Sequence, residues 1–578
     1  MKNLKLLLPF LKQHAVELLA GFGFMLLQNF SYMQTPAYIQ RALDEITGQN
    51  RFAAIRPDLL MIVFYTVLTV ISMYLMRKLI IGASRKIEYT LREKLYQKLL
   101  ALDMNFFQKN ETGDLVSRCT NDLSNVRDLL GPGIMYIPNS LSRFLLFLPV
   151  LIGLSLPLML IVTALMTVLV IFITVVMPRL RPMYQKVQES EGLINSRVWQ
   201  VISGMTTIKL YTLEETEIDR FRTLTNEYVR RNMTIVMFRD VLWPFFLFMF
   251  ALIELVVLLV GGKQVIQHDM TLGQLLQFTV MVSQLTFPVL SLGWMMSMLQ
   301  QGVSALVRMN HILAYPVEHR ADWQILAAEE LTFTARNLSY HYPNQQRHAL
   351  QQINLTITPG QVVGITGTIG SGKTTLLNLM TGLYKPEPGM LFVNGIDIRE
   401  IQPESLFAKI SIVSQEPFLF SRSLAENVAL GTNGQVEPEA VKAAVRRAGL
   451  ERDVLTFPDK YDQIIGERGI TLSGGQKQRT AIARALRKHS PVLVFDDALS
   501  SVDAKTEAEI LDSLKTLDAF ETLIIVSHRI SALKSADTIY VLDQGAIVEH
   551  GTHAELLQQG QLYARLAKLQ QMETVLTE

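Results

Sequence analysis

The first half of the chain alternates apolar runs with long polar stretches. Up to about residue 309 the apolar runs reach roughly 20 residues, the length that a helix needs to cross a bilayer. We predict six spans, at about 15–39, 59–76, 134–154, 158–176, 241–260 and 275–298. The stretches at about 81–130 and 179–231 are too polar for a membrane but keep a helical period. They predict long helices that project into water.

The second half of the chain has a different pattern. Beyond residue 330 the apolar runs are short, strand-length and separated by Gly, Pro and charged residues, which is typical of α/β structure. The pattern therefore predicts an all-α, six-helix membrane domain with long helical extensions at 1–310, a linker at 311–330 and an α/β domain at 331–578.

The composition of the chain indicates a membrane protein and argues against one class of partner. Hydrophobic residues make up 49% of the 578 residues. A net charge of +2 without a long basic tract argues against a nucleic-acid partner. Basic residues gather near the N-terminus, at 77–92, at 179–186 and at Arg308, which predicts that both termini and the α/β domain are cytosolic. The single cysteine, Cys119, permits no intrachain disulfide.

Polar side chains inside the apolar spans are candidates for substrate contact, because an unsatisfied polar group in hydrocarbon is costly. The first span carries Gln28, Asn29 and Gln34, the fifth carries Glu254 and the sixth carries Gln284. The alternative for each is a structural role, in which the group is paired with a neighbouring helix.

A phosphate-binding sequence lies between a predicted strand and a predicted helix. The segment GTIGSGKTT, residues 367–375, follows QVVGIT and matches the pattern GxxxxGK[ST] in full. Its glycines let backbone N–H groups surround phosphates, Lys373 neutralises the outer phosphates and the Thr374 hydroxyl binds Mg²⁺. The predicted nucleotide-binding residues of this loop are Gly367, Gly370, Ser371, Gly372, Lys373, Thr374 and Thr375.

Further motifs follow downstream. VLVFDD ends in Asp496 and Asp497, and a strand that delivers a carboxylate to Mg²⁺ is the second half of a phosphate site. Gln415 stands after one predicted strand and His528 at the end of another. The segments LSGGQ and SSVD supply Leu472, Ser473, Gly474, Gly475, Gln476 and Asp503.

In this order and spacing, the motifs resemble the ATP-binding cassette of an ABC transporter. The upstream half, with FFQKNETGDLVSRCTND and ISGMTTIKLYTLEE, is similar to the six-helix domain of type IV, B-family-like ABC exporters, so the resemblance covers essentially the whole chain. It implies ATP and Mg²⁺ as cofactors, with Mg²⁺ held by Thr374, Gln415 and Asp496. It also implies that the segments 107–115 and 204–209 are coupling helices.

The resemblance implies a role for each remaining motif. Tyr342 would stack on adenine, Gln415 would contact the attacking water and His528 would hold the γ-phosphate. The signature residues Ser473 and Gly475 would reach the γ-phosphate of ATP bound to the other subunit, and Asp503 would be the D-loop residue. A dimer follows, because one cassette holds only half of each site.

One position departs from the family pattern. The residue after Asp496 is ordinarily Glu, a general base or water-positioning group, and here it is Asp497. Loss of one methylene withdraws the carboxylate by about 1.5 Å, and a displacement of about 1 Å can cost on the order of 10²-fold in rate. We therefore expect a site that binds ATP well and hydrolyses it poorly, resembling the non-catalytic-site subunit of heterodimeric bacterial multidrug exporters. A homodimer that tolerates Asp497 is the alternative.

The function that the resemblance implies is ATP-driven export of hydrophobic or amphipathic compounds, of the multidrug type, across a bacterial inner membrane. The expected partners are a second half-transporter, membrane lipids and a small-molecule or peptide cargo, with no nucleic acid. A lipid or lipid-linked flippase, possible also as a homodimer, and an uptake transporter are the alternatives.

Overall fold

The computed structural model describes residues 7–49, 52–317, 323–343, 345, 347–432, 434–466, 469–515 and 522–577. The chain divides into two compact units. One, the helical unit, comprises the described parts of 1–101 and 111–316. The other, the α/β unit, comprises the described parts of 102–110 and 317–578. Residues 318–322 of the predicted linker lie outside the described residues.

The described part of the helical unit is built of helices, five of them long; the short helix α4, given with them in chain order, belongs to the α/β unit. In chain order they are α1 (Leu8–Gln13), α2 (Ala15–Gln49), α3 (Phe52–Leu100), α4 (Met104–Lys109), α5 (Thr112–Ser117), α6 (Leu123–Asp128), α7 (Ile134–Leu154), α8 (Leu156–Ser203), α9 (Met205–Leu210), α10 (Glu214–Ile266) and α11 (Leu272–Leu313). Single π-helical turns at Arg118–Asp122 and Leu129–Gly133 join α5, α6 and α7.

The helices run well beyond the predicted spans. Helices α3, α8 and α10 each join an apolar segment to a polar one without a break. Among the described residues, five helical segments are long and apolar enough to cross a membrane by length and composition. The first predicted span lies in α2, which is 35 residues long but too polar to be one of these five. The all-α domain with long helical extensions is confirmed.

Apolar side chains from four helices form the main core of the helical unit. Phe147 of α7, Val162 of α8, Ile253 of α10 and Phe278 of α11 are buried in one cluster. A smaller cluster joins α2, α3 and α7. Such interdigitated packing holds helices together where hydrocarbon surrounds them, since lipid tails are as apolar as the side chains themselves.

A polar contact ties the end of α2 to the start of α11. The Asp44 carboxylate accepts hydrogen bonds from the Thr271 hydroxyl at 3.0 Å and from the Gly273 backbone N–H at 3.1 Å. The carboxylate therefore pairs with a backbone N–H of the first turn of α11 that has no partner within the helix. Its negative charge also interacts favourably with the positive end of the α11 dipole. A Cβ at residue 273 would lie 2.5 Å from the Asp44 carboxylate and from the backbone oxygen of Gln40.

The α/β unit contains two sheets. Its strands are β1 (Phe333–Tyr340), β2 (Leu350–Ile357), β3 (Val362–Gly367), β4 (Leu391–Val393), β5 (Ile396–Asp397), β6 (Ile410–Val413), β7 (Val492–Asp496), β8 (Thr522–Val526), β9 (Thr538–Asp543) and β10 (Ala546–Gly551). Strands β2-β1-β4-β5 form an antiparallel sheet. The second sheet has the order β10-β9-β3-β8-β7-β6 and is parallel except for β10.

Helices cover the second sheet, as a parallel sheet requires. Besides α4, the helices of the α/β unit are α12 (Lys373–Met380), α13 (Pro403–Lys409), α14 (Leu424–Ala429), α15 (Pro438–Arg447), α16 (Glu451–Thr456), α17 (Gly474–Lys488), α18 (Ala504–Lys515), α19 (Ile530–Leu533), α20 (His553–Gln559) and α21 (Leu562–Thr577). All five residues of β7 are buried, which explains its unbroken apolar run. Because β3, β6, β7 and β8 are parallel, the loops after them meet at one edge of the sheet.

The contact at residue 273 gives a stability prediction. Gly273→Ala should lower the melting temperature of the full-length chain, because the added methyl has to displace Asp44 or the α2 backbone at a cost of about 1–3 kcal/mol. Gly262→Ala in α10 is the matched control, because a Cβ there meets nothing within 4 Å. Equal melting temperatures for the two variants would show that the helices do not approach as closely as described.

Candidate nucleotide-binding site

The phosphate-binding loop begins where β3 ends. Gly367 has a φ of +143°, and a Cβ there would overlap the backbone oxygen of Leu542 on the neighbouring strand β9. Gly372, with a φ of +97°, precedes α12, and a Cβ there would lie 2.5 Å from the Ala349 oxygen. Only glycine fits both positions, so the backbone itself can approach a ligand at the N-terminus of α12.

The ammonium group of Lys373 lies inside this loop. Its Nζ donates to the Gly367 oxygen at 3.2 Å and to the Thr368 oxygen at 2.9 Å. Burial lowers the pKa of Lys373, while the nearby carboxylates of Asp497 and Asp496 oppose that shift. The buried Ser371 hydroxyl has no hydrogen-bond partner among the described residues. A cation and a free hydroxyl in one loop suit the oxygens of a polyphosphate.

A cavity of about 410 Å³ opens over the loop. It brings together Tyr342, the loop from Gly370 to Thr375, Gln415 and His528, which the sequence places far apart. The Tyr342 hydroxyl lies 3.1 Å from the Thr375 Oγ1, and its ring meets that of Tyr384 edge to face at 5.6 Å. Tyr340 does not line this cavity, so Tyr342 is the better placed of the two aromatic candidates for stacking on adenine.

Two consecutive carboxylates end β7. Asp496 is only 5% exposed, and its Oδ1 accepts from the Thr374 hydroxyl at 3.3 Å. Burial raises the pKa of Asp496, so the carboxylate benefits from a cation beside it. Asp497 follows with a φ of +48°, and its backbone N–H donates to the Val526 oxygen at 2.8 Å. The backbone of Asp497 is therefore anchored to the end of β8.

The His528 imidazole follows β8 and lines the same cavity. Burial lowers the pKa of His528, and the positive charge of Lys373 acts in the same direction. The Asp497 carboxylate acts in the opposite direction, but the net shift favours the neutral ring, which has one N–H donor and one acceptor. The His528 backbone N–H points to the Asp497 carboxylate at a long 3.5 Å.

The signature residues Leu472, Ser473, Gly474, Gly475 and Gln476 and the D-loop residue Asp503 do not line this cavity. Ser473 caps α17: its hydroxyl accepts from the Gln476 N–H at 3.3 Å, and the Gln476 side chain accepts in return from the Ser473 N–H at 3.0 Å. Ser473 and Gly474 are exposed. The N-terminus of α17, with its backbone N–H groups, is therefore exposed away from the lining of this cavity.

Two residues that sequence reasoning missed hold the D-loop, defined here as residues 499–503. The Arg529 guanidinium donates to the backbone oxygens of Leu499, Ser500 and Val502 at 2.7–3.4 Å. It also pairs with the buried Glu507 carboxylate at 2.9 Å. Because Arg529 directly follows His528, it links the D-loop to the histidine of the cavity.

Gln478 holds the D-loop from the other side. This buried side chain accepts from the Ser501 N–H at 3.1 Å and donates to the Gln415 backbone oxygen at 3.5 Å. One amide on the signature helix α17 therefore touches both the D-loop and the Gln415 segment. The only sequence signal for Gln478 and Arg529 was their proximity to LSGGQ and His528.

The segment 102–110 is connected to the cavity through the side chain of Tyr384. The Gln108 side chain on α4 donates to the Tyr384 hydroxyl at 2.5 Å, and Met104 packs against the core of the α/β unit. Tyr384 in turn meets the ring of Tyr342. By their residue ranges, the predicted first coupling segment, 107–115, overlaps α4 and α5, and the predicted second segment, 204–209, overlaps α9.

The fold and site define an ATP-binding P-loop domain joined to a helical membrane domain. Comparison with known families agrees: residues 18–289 match the ABC transporter transmembrane region, and residues 350–500 match the ABC transporter ATP-binding family described as "ABC transporter". The chain belongs to the ABC transporter family, as a half-transporter of the exporter type. Membership implies that it binds and hydrolyses ATP to drive translocation.

Relatives of similar length extend over nearly the whole chain. A probable multidrug resistance ABC transporter ATP-binding/permease protein of Bacillus subtilis (strain 168), YheI, is 32% identical over 574 residues, which are 98% of this chain and 97% of the relative. The multidrug resistance-like ATP-binding protein MdlA of Escherichia coli (strain K12) is 32% identical over 94% of this chain and 92% of its own length.

A different kind of transporter is equally similar. An ATP-dependent lipid A-core flippase of Thiobacillus denitrificans is 32% identical over 93% of this chain and 92% of its own length. Among solved structures, a bacterial Atm1-family ABC exporter with ATP bound matches with a TM-score of 0.81 at 25% identity, covering 97% of this chain and 99% of that one.

The Arg529 contacts give a prediction about ATP hydrolysis. Arg529→Gln should lower the kcat of the assembled transporter by about tenfold or more while leaving the KM for ATP within about twofold, because Arg529 positions the D-loop without lining the cavity. Arg446→Gln, which removes an exposed ion pair with Glu451, is the matched control and should change neither constant. Arg529→Lys should not restore the rate, since an ammonium cannot reproduce the guanidinium fork. An unchanged kcat in a folded Arg529→Gln variant would refute this role.

Proposed function

We propose that this chain is one half of a heterodimeric exporter that moves hydrophobic or amphipathic compounds, of the multidrug type, out of the cytosol. The proposal of a heterodimer rests on Asp497, which follows Asp496 and has a side chain one methylene shorter than the usual Glu. Its backbone is anchored to β8 through the Val526 oxygen, which leaves it little freedom to move closer to the γ-phosphate. Its own site therefore holds ATP and turns it over slowly.

The intact signature serves the partner's site. Ser473 and Gly474 are exposed at the N-terminus of α17, outside their own cavity, which suits contact with ATP held by a second subunit. The partner's site then carries most of the hydrolysis. We assign both termini and the α/β unit to the cytosol of a bacterium, with the helical unit in the inner membrane, on the distribution of basic residues and the bacterial origin of the relatives.

The roles of the cavity residues follow from their positions. Tyr342 stacks on adenine, the loop that ends at Thr375 holds the phosphates, and Gln415 and His528, which line the cavity, contact the γ-phosphate. Asp497 is not part of the lining but lies next to His528, whose backbone N–H is 3.5 Å from the Asp497 Oδ1, and we assign it to the same phosphate. Thr374, Gln415 and Asp496 would hold Mg²⁺, because Thr374 and Asp496 place oxygens 3.3 Å apart and Mg²⁺ prefers oxygen ligands. When bound, Mg²⁺ supplies neutralisation of the charge that develops on the phosphate oxygens.

Asp497→Glu tests the asymmetry. The purified wild-type chain alone should hydrolyse ATP slowly, and Asp497→Glu should raise its kcat by roughly 10- to 100-fold, because the longer side chain restores the reach of the carboxylate. Steady-state release of phosphate by the chain in nanodiscs measures both rates. Asp459→Glu, at an exposed position outside the cavity, is the matched control and should leave the rate unchanged.

Fast turnover by the wild-type chain alone would contradict the heterodimer, provided that Asp497→Asn abolishes it and Asp497→Glu does not raise it. The homodimer that tolerates Asp497 would then be the correct assembly. Recovery of fast hydrolysis on mixing the wild-type chain with a half-transporter that carries Glu after its own Mg²⁺-binding Asp would support the heterodimer.

A lipid or lipid-linked flippase is the second candidate function. The similarity to lipid A-core flippases and the polar character of α2, where Gln28 and Asn29 are buried, both favour it. Glu254, by contrast, is exposed on α10, and Gln34 lies outside the cavity that Gln28 lines. Gln284 is partly buried, and its Oε1 has no partner among the described residues.

The response of ATP hydrolysis to added compounds separates the two functions. For an exporter of the multidrug type, several unrelated soluble drugs should each stimulate the assembled transporter by about twofold or more in nanodiscs of fixed lipid composition, since binding shifts the population toward a transport-competent state. A change of lipid at constant drug is the control. Stimulation by particular lipids alone would favour the flippase and count against multidrug export.

A further inference from the structure

A small cavity lies within the helical unit, lined by residues of α2, α3, α7 and α11. Its volume is about 130 Å³. Because a water molecule takes up about 30 Å³ of liquid, this space holds a phosphate or carboxylate group but not a long tail. The polar part of its lining includes Gln28 of α2, Arg77 of α3, and Asn139 and Arg143 of α7.

The guanidinium of Arg143 is held in place by neutral groups. Its Nε donates to the Asn29 Oδ1 at 3.0 Å, and it lies over the Tyr32 ring, 4.9 Å from the ring centre. The Asn29 side chain is fixed in turn, because its amide donates to the Asn139 Oδ1 at 2.8 Å and to the Ser142 Oγ at 2.6 Å. Asn29 therefore acts here by orienting Arg143.

The positive charge in this cavity has no counter-ion within the lining. Arg143 and Arg77 both line it, and no carboxylate does so among the described residues. The terminal nitrogens of Arg143 have no protein acceptor in the described part of the chain. A cation among membrane-spanning helices is costly without a partner, and a guanidinium matches the planar oxygens of a carboxylate or phosphate. An anion would satisfy both requirements.

Gln28, on α2, offers a second polar anchor in the lining of the same cavity. It is 4% exposed, and its buried Oε1 has no hydrogen-bond partner among the described residues. An unpaired buried acceptor costs about 1–3 kcal/mol, so a donor on a ligand would be favoured there. A hydroxyl of a head group, next to its anionic centre, supplies that donor.

Most of the remaining lining is apolar, although Ser140 and Tyr136 also border the cavity. Met73, Met76, Met135 and Phe287 border the same cavity, and Phe287 is exposed. Unbranched thioether side chains adapt to differing alkyl shapes. An apolar tail attached to a head group in the cavity can therefore extend out of it along these side chains.

We propose that Arg143, Arg77 and Gln28 bind the anionic head group, a phosphate or carboxylate, of an amphiphile whose tail lies along the methionines. This site names the chemical class of the cargo and rests on the proposed export function. The site recognises the head group by charge and a hydrogen bond, and the tail by apolar contact. Ligands that lack either the anion or the tail therefore test the two contributions separately.

Binding to the full-length chain tests the proposal without ATP hydrolysis or transport. Radiolabelled dodecyl phosphate is titrated into nanodiscs of zwitterionic lipid that contain the chain, with empty nanodiscs subtracted. Unlabelled dodecyl phosphate should compete, whereas dodecyltrimethylammonium and dodecyl maltoside, which carry the same tail, should compete at least about tenfold less well because they lack the anion. Inorganic phosphate should also compete poorly, since it lacks the tail.

Variants separate the site from general partition into lipid. Arg143→Gln should raise the Kd for dodecyl phosphate by about tenfold or more, and Arg77→Gln should raise it less, because Arg77 is exposed. Arg239→Gln is the matched control: Arg239 is an exposed arginine of α10 outside the lining and should leave the Kd unchanged. Should Arg143→Gln fail to fold, Arg77→Gln and Gln28→Leu still decide the matter.

Equal competition by dodecyl phosphate and dodecyl maltoside, or unchanged binding in all three site variants, would overturn the proposal. Competition by inorganic phosphate as strong as that by dodecyl phosphate would replace the amphiphile by a free anion and also overturn it. If transport assays fail while dodecyl phosphate binds as expected, the export function is wrong and the site stands. If export succeeds while this binding fails, only the site is wrong.

Discussion

The approach of β3 to β9 at Gly367 is the constraint on which the α/β unit depends. A side chain at this position would collide with the backbone of Leu542, so the strands can pair only if residue 367 has none. The loop that follows then starts from a fixed point, which places the Lys373 ammonium beside the carbonyl oxygens of Gly367 and Thr368. The parallel neighbours β8, β7 and β6 bring His528, Asp496 and Gln415 to the same edge.

Much of this site could be predicted from the sequence because its chemistry depends on side-chain identity at short spacing. A glycine-rich loop before Lys373 and a carboxylate at the end of an apolar strand leave a pattern that survives without coordinates. The fold class followed for a similar reason: spans need about 20 apolar residues, whereas buried strands need far fewer. Only the polar α2 weakened that signal, because its amides pack against other helices.

The contacts that could not be predicted involve backbone groups or residues far apart in sequence. Gln478 binds a backbone N–H of one loop and a backbone oxygen of another, and neither acceptor nor donor is visible in a sequence. Gln108 and Tyr384 are 276 residues apart in the sequence, and only folding brings them together. In the same way Asn29 was a candidate for substrate contact, whereas the structure surrounds it with Asn139, Ser142 and Arg143.

The hydrogen bonds from Arg529 to the D-loop backbone have a consequence for how this chain can evolve. Three of its acceptors are backbone oxygens, which every amino acid carries. Leu499 and Val502 are buried in the core, but the side chains of Ser500 and Ser501 can be exchanged without loss of the hydrogen bonds that Arg529 makes to the backbone. The exposed part of this loop can therefore diverge in sequence while the geometry of its backbone is inherited unchanged.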